Sequence, residues 1–119
     1  MVGVAVAGAV GAVARFTVDG AITTRRSGAF PLATLIINVA GSALLGVLTG
    51  LVLFQHAPDG WRVVIGTGFC GGFTTFSTAS FASVRLAQDD RPGLAALNVL
   101  GTLVLCTASA GLGLLITSA

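Results

Sequence analysis

Three neutral polar side chains, Thr34, Asn38 and Ser42, recur at i, i+4 and i+8 inside an otherwise apolar run. That spacing puts them on one face of a helix. A second group, Thr74, Thr75, Ser77, Thr78 and Ser80, follows four glycines at positions 66, 68, 71 and 72. Hydroxyl and carboxamide groups can donate hydrogen bonds to an anion without exchanging protons. Phe69, Phe73 and Phe76 interleave with them at i, i+4 and i+7. An aromatic ring has a positive edge, so ring edges and hydroxyls together suit a small, compact anion. The same aromatic spacing also serves ordinary helix packing.

The chemistry that is missing narrows the reading. Every charged residue is Arg or Asp; Lys, Glu and Tyr are absent. No acidic residue falls in the second, third or fourth apolar run. A cation path wants carboxylates or carbonyl rings, and a proton-coupled exporter wants a titratable acid within the membrane. A small multidrug-type transporter is disfavoured on that ground. Cys70 and Cys106 both lie in apolar runs and read as small buried hydrophobes, and His56 sits in a loop. No nucleophile–base pair, metal-ligand spacing or phosphate-binding loop is present, so an enzyme is not expected.

Composition sets the medium. The chain has 119 residues, of which 55% are hydrophobic and 8% charged, and its mean hydropathy is +0.99. A soluble domain carries about 25% charged residues, so this chain is expected to lie in lipid as a single transmembrane domain, residues 1–119. The net charge of +2 is too small and scattered for nucleic acid. Four apolar segments are expected near residues 2–18, 32–54, 63–84 and 94–116, each long enough for a hydrocarbon core of about 30 Å. The first lacks a basic leader and runs on into a longer pattern, unlike a cleaved signal peptide.

The joints are legible too. Pro31 suits the first turn of the second segment. Pro58-Asp59-Gly60 marks a turn, and Trp61 an interfacial anchor. Asp89-Asp90-Arg91-Pro92-Gly93 stops the third segment. Asn98, Thr102 and Cys106 repeat the i, i+4, i+8 stripe on the fourth. Arg15 near the end of the first segment reads equally as a snorkelling anchor or as a residue packed on the third segment or a partner. The third segment is the exception to regularity. Each glycine in a helix interior costs about 1 kcal/mol against Ala, and the hydroxyls that follow compete for the backbone. Residues 66–81 are therefore expected to break the helix. Broken backbone at membrane depth is tolerated only inside protein or along a watery cavity, and helix ends there supply partial charges for ions. Four thin helices cannot both enclose a water path and shield it, so an oligomer, at least a dimer, is expected.

The stretch Gly68-Phe69-Cys70-Gly71-Gly72-Phe73-Thr74-Thr75-Phe76-Ser77-Thr78 closely resembles the signature of the Fluc fluoride channels, the CrcB family. The resemblance extends to Gly11-Ala12-Val13-Ala14-Arg15-Phe16, to Pro31–Leu35 with Asn38 and Gly41, and to Ala96-Leu97-Asn98-Val99. It implies a plasma-membrane channel that exports fluoride passively and relieves its toxicity. It also implies an all-α antiparallel, dual-topology dimer of four-helix subunits with two narrow pores. Phe76 would be a ring-edge fluoride ligand and Asn38 a donor to fluoride or the pore lining. Thr34, Ser77, Thr78, Thr102 and Cys106 would fall along a polar track. Gly71 and Thr74 would offer carbonyls to a central structural sodium ion, and Arg15 would be structural.

Ala79 departs from the pattern. The family usually continues Thr-Thr-Phe-Ser-Thr-Phe-Ser, with a second Phe where this chain has Ala79. The loops are also asymmetric. Arg25, Arg26 and Arg91 lie on one side, with Arg15 and Arg85 close to it, and only Arg62 lies on the other. The positive-inside rule then favours one orientation, with both termini outside the cytoplasm. These two features raise the alternative that the chain is one half of a heterodimer, or a non-conducting subunit, whose oppositely inserted paralogue supplies the second ring.

Overall fold

The computed structural model describes residues 2–25, 30–56 and 58–118. It is built from helices: α1 (Val2–Arg25), α2 (Leu32–Phe54), a helical turn α3 (Asp59–Trp61), a π-helix (Arg62–Cys70), a second turn α4 (Gly71–Phe73), α5 (Phe76–Gln88) and α6 (Pro92–Ser118). No strand occurs among the described residues. Three helices, α1, α2 and α6, are long and apolar enough to cross a membrane. The third apolar segment is divided at Thr74 and Thr75, whose backbones are extended (φ/ψ −80/159° and −150/117°). The longest dimension is 49 Å, which matches a bilayer of about 40–45 Å with its headgroups.

α2 begins at Leu32, just after Pro31, and ends at Phe54, as its apolar run does. α1 continues to Arg25, seven residues past the expected end of the first segment. Thr17 and Thr24 there donate back to the Val13 and Gly20 carbonyls (2.9 and 2.7 Å), and Thr23 to Asp19 Oδ1 at 3.3 Å. These local bonds accompany helix where a loop starting at Asp19 was expected. Arg26, Ser27 and Gly28 of that loop lie outside the described residues. α6 starts at Pro92, the first-turn position where a missing N–H does no harm.

Lipid offers no hydrophobic drive between helices, so close packing of small residues does that work. α2 and α6 meet through Gly46, Gly50 and Gly113. A Cβ on Gly46 would strike the Ala110 carbonyl oxygen, and one on Gly113 would lie 2.6 Å from the Val47 nitrogen. Gln55 Nε2 donates to the Thr117 carbonyl at 2.7 Å and ties their ends together. On the other side, α1 holds the π-helix and α4 through Gly8, Gly11, Gly68 and Gly72. The core is small, with Ile37 and Asn98 its largest fully enclosed side chains. Phe16, Leu115 and Ile116 point outward, as a lipid-facing surface requires.

One contact makes a sharp expectation. A Cβ on Gly72 would strike the Gly8 carbonyl oxygen and approach the Gly8 Cα at 3.1 Å, all backbone atoms that cannot swing aside. Gly72→Ala should therefore destabilise the protein by about 1–3 kcal/mol, read as a lower unfolding temperature in detergent. Gly101→Ala, which meets nothing within 4 Å, is the control and should be neutral.

Candidate functional site: a row of cavities at the helix interruption

The site is assembled around Thr75. Asn38 on α2 faces it and makes two bonds: its Nδ2 donates to the Thr75 carbonyl at 3.0 Å, and the Thr75 N–H donates to Asn38 Oδ1 at 2.8 Å. One carboxamide thus satisfies both backbone groups of a residue that has left the helix. Buried backbone groups without partners are strongly disfavoured, and in lipid they have no water to turn to. Thr75 also caps α5: its Oγ1 accepts from the Thr78 N–H at 3.1 Å and donates to Thr78 Oγ1 at 3.1 Å.

These bonds redirect two donors. In an uninterrupted helix the Thr75 N–H would go to the Gly71 carbonyl and the Thr78 N–H to the Thr74 carbonyl. Both go elsewhere, so the carbonyls of Gly71 and Thr74 are relieved of their helical donors. Gly71 is exposed and Thr74 half-buried, and both line the same cavity. Among the described residues no three His, Cys, Asp or Glu side chains cluster. A hard cation held here would be met by backbone oxygens, which is chemistry that sodium accepts.

Three cavities follow one another, each sharing wall residues with the next. The first, about 590 Å³, is lined by Arg91, Asp19, Thr23, Thr34, Thr78 and apolar neighbours. The second is smaller, about 110 Å³, and joins Arg15 and Thr75 to the shared Asp19, Thr34 and Thr78. The third, about 320 Å³, shares Thr75 and adds Asn38, Ser42, Phe76, Thr102 and Cys106. Thr75, pinned by Asn38, is the wall between the second and third.

The expected site residues divide between these spaces. Asn38, Phe76, Thr102, Gly71 and Thr74 line the third cavity, and Thr34, Thr78 and Arg15 the second. Ser77 is exposed and lines neither. The three phenylalanines do not form one face. Phe69 and Phe73 stack on each other with centroids 5.6 Å apart and planes 14° apart. The extended residues Thr74 and Thr75 set Phe76 off from that pair, and it is 87% exposed in the single chain. Ala79 is buried, and its carbonyl accepts from Asn98 Nδ2 at 3.3 Å and from Ser83 Oγ at 3.0 Å. Asn98 also donates to Ser83 Oγ at 2.8 Å and so fastens α5 to α6.

Two contributors escaped the sequence reading. A first segment ending at residue 18 leaves Asp19 in a loop, whereas on the longer α1 its i+4 spacing from Arg15 puts both on one face. Thr75 was one hydroxyl among many, and only the partner on α2 singles it out.

Comparison with known proteins bears on this site. The description "CrcB-like protein, Camphor Resistance (CrcB)" fits residues 2–114. The chain is 50% identical over 111 residues to "Fluoride-specific ion channel FluC 1" of Leifsonia xyli subsp. xyli, covering 93% of this chain and 81% of that protein. It is 44% identical over 119 residues to "Fluoride-specific ion channel FluC 2" of Cutibacterium acnes, covering 99% and 97%. A third relative, "Fluoride-specific ion channel FluC" of Thermococcus kodakarensis, is 41% identical over 107 residues, covering 88% and 85%.

Proposed function

The chain belongs to the CrcB family, and on that premise we propose that it is a fluoride channel subunit that lets fluoride leave the cell passively. It is a multi-pass membrane protein, and its place is the cell membrane. The observation that carries the reading is the row of cavities. Between Arg15 and Phe76 the lining consists of hydroxyls, thiols, a carboxamide and apolar groups, and Asp19, in the cavity that Arg15 also lines, is its one acid. Neutral donors in a narrow space favour a compact anion that can give up its water to them.

Fluoride would enter past Thr34 and Thr78, cross the Asn38–Thr75 wall, and meet the edge of the Phe76 ring beside Thr102. Cys106 would line the track where a hydroxyl would serve. The third cavity is open along Phe76 and Gly71 in a single chain, which is where a second copy would close it. An antiparallel dimer would bring the Gly71 and Thr74 carbonyls of two subunits together. A sodium ion there would supply fixed positive charge that offsets the penalty of an anion nearby.

Expression in a bacterium lacking its own fluoride exporter tests the reading. Growth should be restored at otherwise inhibitory fluoride, and growth no better than that of the empty strain would overturn it.

A second reading rests on Ala79 and on the arginine bias of the loops: pairing with an oppositely inserted paralogue that supplies the missing ring. Ala79→Phe separates the two. In a self-paired channel the added ring edge should raise fluoride flux severalfold in vesicles that hold this chain alone. An unchanged flux would place the missing ligand on another chain or another residue.

A further inference from the structure

Asp19 is the one acidic side chain lining any of these three cavities among the described residues, and it lines two of them. It stands between two arginines. Arg91 lines the first cavity and Arg15 the second, while Asp19, Thr34 and Thr78 are shared by both. A carboxylate is the wrong sign for a wall along which an anion must pass.

Arg15 is half-buried, and no hydrogen bond or ion pair joins it to a described residue. Asp19 is exposed and accepts one long bond, from Thr23 Oγ1 at 3.3 Å. The two residues are one helical turn apart, a spacing at which an acid and a base on the same face can reach each other. The carboxylate is therefore within reach of the guanidinium but is not engaged with it.

We propose that Asp19 controls entry as a tethered anion that competes with fluoride for Arg15. The carboxylate exchanges between Thr23, where the structure has it, and Arg15, which it neutralises while there. A fluoride that takes Arg15 confines Asp19 to Thr23. The device holds down occupancy at low fluoride and leaves passage at high fluoride unhindered. It rests on the fluoride-channel reading above.

Initial fluoride efflux from proteoliposomes, measured across a range of internal fluoride concentrations, tests it. Asp19→Asn keeps the shape and the acceptor for Thr23 but removes the charge. It should lower the half-saturating fluoride concentration about threefold and leave the maximal rate unchanged within a factor of two. The gain should shrink in high impermeant salt, because exposed charges are screened. Asp19→Glu should behave as wild type. In an Arg15→Gln background, adding Asp19→Asn should change nothing, since the competed group is gone.

A conducting wild type whose Asp19→Asn variant has the same half-saturation would overturn the proposal alone. So would an equal gain in the Arg15→Gln background, which would make Asp19 a general repulsive charge. Wild-type vesicles that retain fluoride would overturn the channel reading and the proposal with it.

Discussion

Replacing Asn38 with Ala should slow fluoride efflux about a hundredfold while leaving a folded protein. The reason is local. Asn38 alone supplies the donor to the Thr75 carbonyl and the acceptor for the Thr75 N–H. Each buried backbone group left unpaired costs about 1–3 kcal/mol. A hundredfold in rate corresponds to about 2.7 kcal/mol, so misplacement of this one residue is large enough to produce it. Thr75 is the wall between two cavities and also the cap of α5. Its drift would disturb the passage and the first turn that carries Phe76 together. The α2–α6 pairing through Gly46, Gly50 and Gly113 does not involve Asn38, so assembly of the helices should survive. Efflux and unfolding temperature measured on the same sample separate these effects. A variant with wild-type efflux would remove Asn38 from the passage.

Phe76→Ile should lower efflux by about tenfold or more without loss of stability. Phe76 is 87% exposed in the single chain, so its ring contributes little to the subunit's own packing. What the substitution removes is the positive ring edge; the apolar bulk stays. About tenfold corresponds to about 1.4 kcal/mol of lost stabilisation along the path. The same experiment on Phe69 gives the contrast. Phe69 stacks face to face on Phe73, so Phe69→Ile should act through packing and lower the unfolding temperature along with the flux. Equal flux in wild type and Phe76→Ile would mean that the ring lies outside the anion's route.

Much of this is legible in the sequence because lipid simplifies the problem. Long apolar runs with few charges mark the helices, and Pro31 and Pro92 mark where two of them begin. The limits of α2 follow directly from its run. The end of α1 does not, because the apolar run ends near Val18 while the helix continues to Arg25. The Thr17, Thr23 and Thr24 hydroxyls bond locally within the continued helix, and bonds of that kind are as compatible with a turn as with a helix. The π-winding of Arg62–Cys70 has no periodic signal; it is visible only as glycines that let α1 approach.

The site divides in the same way. The Thr34–Asn38–Ser42 stripe was readable because helical spacing alone sets it. That Thr75 and not Thr74 would receive Asn38 depends on where α2 meets the third segment, which is tertiary information. The stripe of Asn98, Thr102 and Cys106 looked uniform, yet Asn98 turns to the Ala79 carbonyl and Ser83 while Thr102 and Cys106 line the third cavity. A buried carboxamide finds partners wherever the packing offers them. Which member of a stripe serves structure and which serves passage is settled between helices, not along one.

Fluoride release from liposomes holding this chain alone, followed with a fluoride electrode and with chloride as the control ion, tests the central claim most directly. Rapid loss of fluoride with chloride retained, and with no need for a proton gradient, is the expected result. Chloride leaving as fast as fluoride, or fluoride held back by a folded and inserted dimer, would contradict it.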